Sequence, residues 1–140
     1  MNSSQNSFTW PVRVYYEDTD AGGVVYYANY LKFMERARTE WLRSKGFEQD
    51  QLVQQDGIIF AVRHVDVGYH HPARFNDALE VSARVSQKGR ASLTFHQEVI
   101  RTLDSQILCQ GEIRIACVNM TTMRPTPIPE HIMLEIADVD

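Results

Sequence analysis

Tyr16-Glu17-Asp18-Thr19-Asp20-Ala21-Gly22-Gly23-Val24-Val25-Tyr26-Tyr27-Ala28-Asn29-Tyr30 is the stretch on which the reading of this chain turns. Two carboxylates lie two residues apart. A Gly-Gly turn follows, and then an aromatic pair at the mouth of a helical pattern. Such a turn can aim a carboxylate and the N–H groups of a helix start at one point. A helix start is partly positive and has spare donors. A carbonyl placed there is polarised, and a nearby carboxylate can attack it or activate water. Serine, cysteine and metal are not needed for that chemistry.

Outward from the turn, Trp10–Tyr16 alternates as a first strand, with Pro11 suited to its start. Residues 1–9 read as a frayed tail, and residues 10–140 as one domain. From about Val25 to Lys45 the pattern is helical. Tyr30, Met34, Ala37 and Trp41 form a stripe that Leu31 and Leu42 widen, and Gly46 stands as a C-terminal cap. A short second helix is expected over Gln49–Gln55. After Gly57 the period becomes two, giving strands over Ile58–Tyr69, about Leu79–Ser86, about Leu93–Val99 and Ile107–Val118. Glu130–Ile136 reads as a last short helix. The resulting fold class is α+β: a strand, a long helix and a four-strand antiparallel meander packed layer on layer.

The run Arg13 to Tyr30, followed by Phe33-Met34-Glu35-Arg36-Ala37-Arg38-Thr39-Glu40, resembles the 4-hydroxybenzoyl-CoA thioesterase family of hotdog-fold proteins. Within it, the chain is most similar to the acyl-CoA thioesterases encoded beside the bacterial Tol–Pal envelope system. The resemblance runs from Trp10 to about Pro129. It implies a hotdog fold, with a five- to six-stranded sheet wrapping the long helix. It also implies dimers with sites at the subunit interface, and tetramers above them. The implied activity is hydrolysis of a short-chain or aromatic acyl-CoA. Acyl carrier protein and lipid-synthesis enzymes are further partners it suggests, with a cytoplasmic or inner-membrane-peripheral location.

Residue by residue, the resemblance maps the catalytic carboxylate onto Asp20 and the oxyanion donor onto the backbone N–H of Tyr27. The bland reading of Asp20 is a turn aspartate bonding its own backbone. Asp18 reads as a support for the turn. Gly22 and Gly23 would allow positive φ and close approach of a ligand. Tyr30, with Tyr26 and Tyr27, would line the acyl pocket or simply pack the core. Tyr27 is a departure, because the Tol–Pal-associated enzymes often carry histidine there and the hydroxybenzoyl-CoA enzymes tyrosine. Lys88, Arg90 and Ser92 flank a turn at Gly89; they read either as a solvated hairpin or, by the family pattern, as contacts to the phosphates of coenzyme A. Glu35 is a rival carboxylate, but Glu35/Arg38 and Arg36/Glu40 have the spacing of surface pairs.

Composition sets the remaining bounds. The 140 residues are 44% hydrophobic and 23% charged, with a net charge of −4 and pI near 5.7. That balance speaks against broad nucleic-acid binding. A polar N-terminus with no apolar core gives no secretion signal. Cys109 and Cys117 lie eight apart in one strand, roughly 26 Å, too far for a bridge. They read as reduced core residues. The five histidines show no ligand spacing, and His70 and His71, adjacent in a strand, would face opposite ways. No metal, nucleotide or other cofactor is expected beyond the coenzyme A of the substrate. A Ca²⁺ loop fits poorly, since Gly22 and Asn29 fall where acidic ligands would be wanted. Two other functions are open: a non-catalytic acyl- or protein-binding module, and a dehydratase on acyl carrier protein. The latter wants a histidine, and none lies between Met1 and Arg63.

Overall fold

A computed structural model describes residues 8–136. Strand β1 (Phe8–Arg13) leads to a 3₁₀ turn at Tyr16–Asp18 and then helix α1 (Asn29–Ser44). A helical turn α2 (Gln49–Gln51) runs into a π-turn at Leu52–Asp56. Strands β2 (Ile58–Tyr69), β3 (Ala78–Lys88), β4 (Ser92–Arg101) and β5 (Gln106–Asn119) follow, and α3 (Glu130–Glu135) closes the described chain.

The boundaries move where local chemistry overrides pattern. The first strand begins at Phe8, inside the segment read as tail, because Phe8 and Thr9 pair with Ala83 and Ser82. It ends at Arg13, and Tyr16 belongs to the 3₁₀ turn instead. The long helix starts four residues later than its apolar pattern. Val25 is held by Ala73, its N–H bonding that carbonyl at 2.9 Å, and Tyr26 N–H bonds Asp18 O at 3.0 Å. At the other end Gly46 takes φ +95°, and Phe47 N–H returns to Leu42 O at 3.2 Å, capping the helix as its sequence position suggests.

The sheet order is β1-β3-β4-β5-β2, antiparallel throughout. This corrects the expected four-strand meander. β3, β4 and β5 do form one, but β2 crosses to the far edge and pairs with β5. One residue makes that pairing intimate: a Cβ on Gly111 would lie 2.2 Å from Asp66 O and 2.6 Å from Val67 Cα. Only glycine leaves room for that approach.

α1 lays Tyr30, Phe33, Met34, Ala37, Trp41 and Leu42 against one face of the sheet. Leu79, Val81, Leu93, Phe95, Val99 and Ile113 meet them from the strands. Cys109 and Cys117 are buried free thiols in this core. The opposite face is polar, and His96 Nδ1 lies 2.6 Å from Glu112 Oε2 there. One inward position carries a polar side chain, Gln97, which is fully buried. No helix among the described residues is long and apolar enough to cross a membrane.

Candidate active site

The acidic turn is built by its own side chains. Asp18 Oδ2 accepts the Tyr15 N–H at 2.8 Å, and Thr19 Oγ1 donates to Tyr16 O at 2.7 Å. Asp18 therefore supports the turn. Asp20 Oδ1 accepts the Gly22 N–H at 2.8 Å, and Asp20 N–H bonds Val24 O at 2.9 Å. The carboxylate is thus positioned by an Asx turn and remains exposed to solvent. Its second oxygen has no protein partner among the described residues. Gly23 adopts φ +81°, a region a side chain would resist.

A clamp binds this turn to the helix. The Asp18 carbonyl accepts both Tyr26 N–H (3.0 Å) and Asn29 Nδ2 (2.9 Å). The Asn29 amide, whose position suits no Ca²⁺ ligand, ties the first turn of α1 to the carboxylate loop. The helix start has no side-chain cap, and Tyr27 N–H donates to nothing among the described residues. An uncapped donor at the positive end of a helix is suited to a carbonyl oxygen.

Around it lies an open cavity of about 240 Å³, lined by Val25, Tyr27, Tyr30, Tyr69, His70, His71 and Pro72. Tyr69 packs its ring against Tyr27 (5.9 Å between centroids) and Tyr30 (5.6 Å). Tyr30 serves both readings offered for it. It lines the cavity, yet it is buried, and its hydroxyl accepts the Ala73 N–H at 2.9 Å. Burial raises that phenol above its ordinary pKa. The two histidines do not diverge: both line this cavity. Their backbone N–H groups both donate to the Leu108 carbonyl, at 2.8 and 3.1 Å, and both residues lie just past the end of β2, where strand alternation no longer applies.

Of the surface pairs expected along α1, Glu35 still acts electrostatically on Arg38, while Arg36 and Glu40 take other partners. Glu35 Oε2 accepts Thr39 Oγ1, Glu40 pairs with Arg43, and Arg36 sits 6.0 Å over the Phe33 ring. Arg38 turns inward and donates from Nη1 to Gln97 Oε1 at 2.9 Å. Burial pulls its pKa down to about 10, which leaves it charged at neutral pH. Glu35, Arg38, Thr39 and Gln49 line the polar side of a second cavity, about 150 Å³, whose apolar walls include Trp41, Phe60 and Phe95. Gln97 carried the one available signal, a glutamine on the inward parity of a strand.

Lys88, Arg90 and Ser92 lie elsewhere. Gly89 N–H bonds Ser92 O at 2.8 Å to close the hairpin, with the Ser92 hydroxyl folded against Gly89. Asp20 belongs to the Ala78 end of β3, through Val14 on Asp77 and the Val24–Arg74 bridge. The hairpin is at the Lys88 end, roughly 30 Å away along the strand. One protomer does not bring these groups together. Among the described residues, no group of three or more His, Cys, Asp or Glu is placed to hold a metal ion.

The described architecture is matched closely by known proteins. A thioesterase from Synechocystis, Slr0204, described as acting on 1,4-dihydroxy-2-naphthoyl-CoA, superposes with a TM-score of 0.87 at 24% identity, covering 96% of this chain and 98% of its own. A probable thioesterase from Bartonella henselae superposes at 0.83 with 32% identity, over 88% and 99% of the two chains. In sequence, the acyl-CoA thioester hydrolase YbgC of Escherichia coli O6:H1 is 44% identical over 128 residues, 91% of this chain and 94% of that one. The hotdog architecture is therefore the fold of this chain. With residues 14–136 matching the model of the Thioesterase-like superfamily, the chain is a member of that family.

Proposed function

We propose that this protein hydrolyses acyl-CoA thioesters at the Asp20 turn. The reading is supported by an exposed carboxylate, fixed by Gly22 N–H, on the loop whose other end carries the unengaged Tyr27 N–H just ahead of α1. Its relatives with names of acyl-CoA thioester hydrolases supply the substrate class. The thioester carbonyl oxygen sits on Tyr27 N–H. Asp20 either takes the proton from a water that attacks the carbonyl carbon, or attacks that carbon itself to give a mixed anhydride that water then hydrolyses to the free acid and the Asp20 carboxylate. On either route the carbon–sulfur bond breaks, and coenzyme A leaves as a thiolate that solvent protonates. Thiolate is a good leaving group, so no strong general acid is required.

The working unit is a two-fold dimer in which the free edges of β2 pair antiparallel. β2 is an edge strand, and its centre is exposed, with Val62 at 51% and Val65 at 41%. Unpaired apolar edges seek a partner. Tyr69, at one end of β2, packs on the catalytic cavity; Phe60 and Val62, near the other end, line the second cavity. Antiparallel pairing sets the Tyr69 end of one protomer beside the Phe60 end of its partner. The partner's second cavity and its 88–92 hairpin then flank the Asp20 turn. Lys88, Arg90 and Ser92 reach the coenzyme phosphates from across the interface, and Gly22, Gly23 and Tyr30 contact the acyl end. The enzyme works in the cytoplasm, alongside envelope or lipid-synthesis proteins.

The test is thiol release from short, long and aromatic acyl-CoAs by wild type and Asp20→Asn. The asparagine keeps an oxygen for Gly22 N–H, so the fold is retained, while the rate falls on the order of a hundredfold or more. Equal rates in the two proteins would remove Asp20 from the chemistry. Binding of acyl-CoA without cleavage by wild type would make the domain a binding module.

A further inference from the structure

We infer that His71 is a catalytic residue of this site: its imidazole N–H donates a second hydrogen bond to the oxyanion that forms on Tyr27 N–H. The inference deepens the thioesterase reading and rests on it.

The thioester carbonyl becomes an oxyanion whichever way Asp20 acts, and that oxygen has lone pairs for more than one donor. The backbone supplies one, Tyr27 N–H, at a helix start without a side-chain cap. A second fixed donor has to come from the wall of the cavity there. Five of the seven lining residues carry a polar hydrogen on the side chain: Tyr27, Tyr30, Tyr69, His70 and His71. Three of these are committed. The Tyr27 hydroxyl is hydrogen-bonded to Tyr26, the Tyr30 hydroxyl is buried on Ala73 N–H, and His70 Nε2 lies 3.3 Å from Gln110 Nε2. Tyr69 packs its ring on Tyr27 and Tyr30, and burial raises its phenol above the ordinary pKa, which weakens it as a donor. His71 is exposed, and its ring has no partner among the described residues.

The backbone sets the place of this imidazole. Val24 bridges Arg74, and Val25 N–H bonds Ala73 O at 2.9 Å, so the two segments run antiparallel. Carried two residues further, that register sets His71 opposite Tyr27. The segment is anchored on both sides of the ring. His71 N–H donates to Leu108 O at 3.1 Å, and Ala73 N–H donates to the Tyr30 hydroxyl on α1 at 2.9 Å. Pro72 between them confines His71 to extended backbone. The imidazole has only its two side-chain torsions left to set when substrate arrives, and a donor so nearly placed costs little reorganisation as charge develops.

An imidazole donates from one ring nitrogen when neutral and from both when protonated, so it serves in either state. The proton stays on the ring throughout. The hydrogen bond is weak to the carbonyl of the bound thioester and strong to the oxyanion of the tetrahedral intermediate. It weakens again when the carbon–sulfur bond breaks and the carbonyl re-forms. An interaction of that kind lowers the barrier without tightening ground-state binding, so its loss falls on kcat and leaves KM alone.

The experiment measures kcat and KM for thiol release from acetyl-, butyryl-, hexanoyl- and benzoyl-CoA by wild type, His71→Ala, His71→Gln, His70→Ala and Tyr69→Phe. On the substrates that wild type cleaves, His71→Ala should lose about tenfold to a hundredfold in kcat, the lower range for an oxyanion donor because the cavity is open to water, with KM held within about twofold. His71→Gln keeps an N–H donor and should recover about threefold or more of that loss. Unchanged kcat in His71→Ala overturns the inference, and so does a loss confined to KM. A loss in His70→Ala or Tyr69→Phe as large as that in His71→Ala overturns it by giving the donor's place to another residue. His71→Gln no faster than His71→Ala overturns it as well, because an N–H is then not what the position supplies. His71 is exposed, so its variants should keep the urea midpoint of wild type; a kcat loss that follows a lowered midpoint would make the position structural and dismiss the inference. Full activity in His71→Ala sinks this inference alone, whereas cleavage of no acyl-CoA by wild type sinks the thioesterase reading as well.

Discussion

Gly22 holds Asp20 from two directions: its N–H bonds Asp20 Oδ1 at 2.8 Å, and its bare Cα leaves a gap that a Cβ would close to 3.2 Å from the same oxygen. The adjacent Gly23 has a different duty. Nothing lies within 4 Å of where its Cβ would stand, but its φ is +81°.

The two glycines should therefore fail differently. Gly22→Ala pushes the carboxylate by a few tenths of an ångström. Thioesterase activity should fall on the order of tenfold, with the melting temperature little changed, since small displacements of a reacting group are costly. Gly23→Ala should cost about 1–2 kcal/mol of stability from the left-handed backbone. Activity assays paired with urea unfolding separate the two effects. A loss of stability without loss of rate in Gly22→Ala would show that the turn does not position Asp20.

Features held by short-range forces are legible in the sequence, and those held by long-range ones are not. The Asp18–Gly23 turn, the α1 stripe and the Gly46 cap are local devices, written in adjacent residues, and they stand where the pattern places them. The family match fixed the fold for the same reason: its motif lies in one continuous run. The position of β2 is a long-range choice. Its alternation of Val65, Val67 and Tyr69 fits any neighbouring strand, and what joins it to β5 is the close approach at Gly111. Arg38 was equally opaque. Its i,i+3 spacing to Glu35 suits a surface pair, and only the buried amide of Gln97, 59 residues away, draws it inward. The common fate of His70 and His71 needed the shared Leu108 carbonyl, which no spacing rule reveals.

Tyr30 tests whether the helix start is anchored as described. Its hydroxyl is the acceptor for the buried Ala73 N–H at 2.9 Å, and Ala73 O in turn holds Val25 N–H. Tyr30→Phe keeps the ring and strands that N–H. Leaving a buried donor unsatisfied costs about 1–3 kcal/mol. The urea midpoint should drop by the corresponding amount at unchanged slope. A neutral Tyr30→Phe would mean that Ala73 finds another acceptor and that this phenol matters only as an apolar ring.

The separation of Asp20 from Arg90 allows a complementation test of the shared site. Asp20→Asn and Arg90→Glu homodimers should each be impaired, the first in rate and the second in KM. Unfolding and refolding them together gives heterodimers with one doubly damaged site and one intact site. With statistical mixing, activity should return to about a quarter of wild type, as two-fold symmetry requires. Activity no higher than the mean of the two parents would place both residues in the same protomer's site and dismiss the antiparallel β2 dimer.

The buried thiols predict how stability changes in alkali. Desolvation pushes Cys109 up to about 12 and Cys117 up to about 11 from an ordinary value of 9, with Asp56 adding to the second. Above pH 9 the unfolded chain gives up these protons while the folded chain keeps them. The folded state then binds more protons than the unfolded one, so stability must fall as pH rises. The stabilisation is complete below pH 9 and is lost progressively between 9 and about 11 to 12. Each thiol in its window contributes a slope of at most about 1.4 kcal/mol per pH unit. Tyr30, whose phenol burial also raises, steepens the fall above pH 10. Urea unfolding of wild type and Cys109→Ala at intervals from pH 8 to 10.5 measures the slope, and the variant should be flatter. The same burial predicts that neither thiol reacts with a bulky alkylating reagent at pH 8 until the protein unfolds. Rapid labelling of Cys109 in the native state would contradict the packing of β5 against α1.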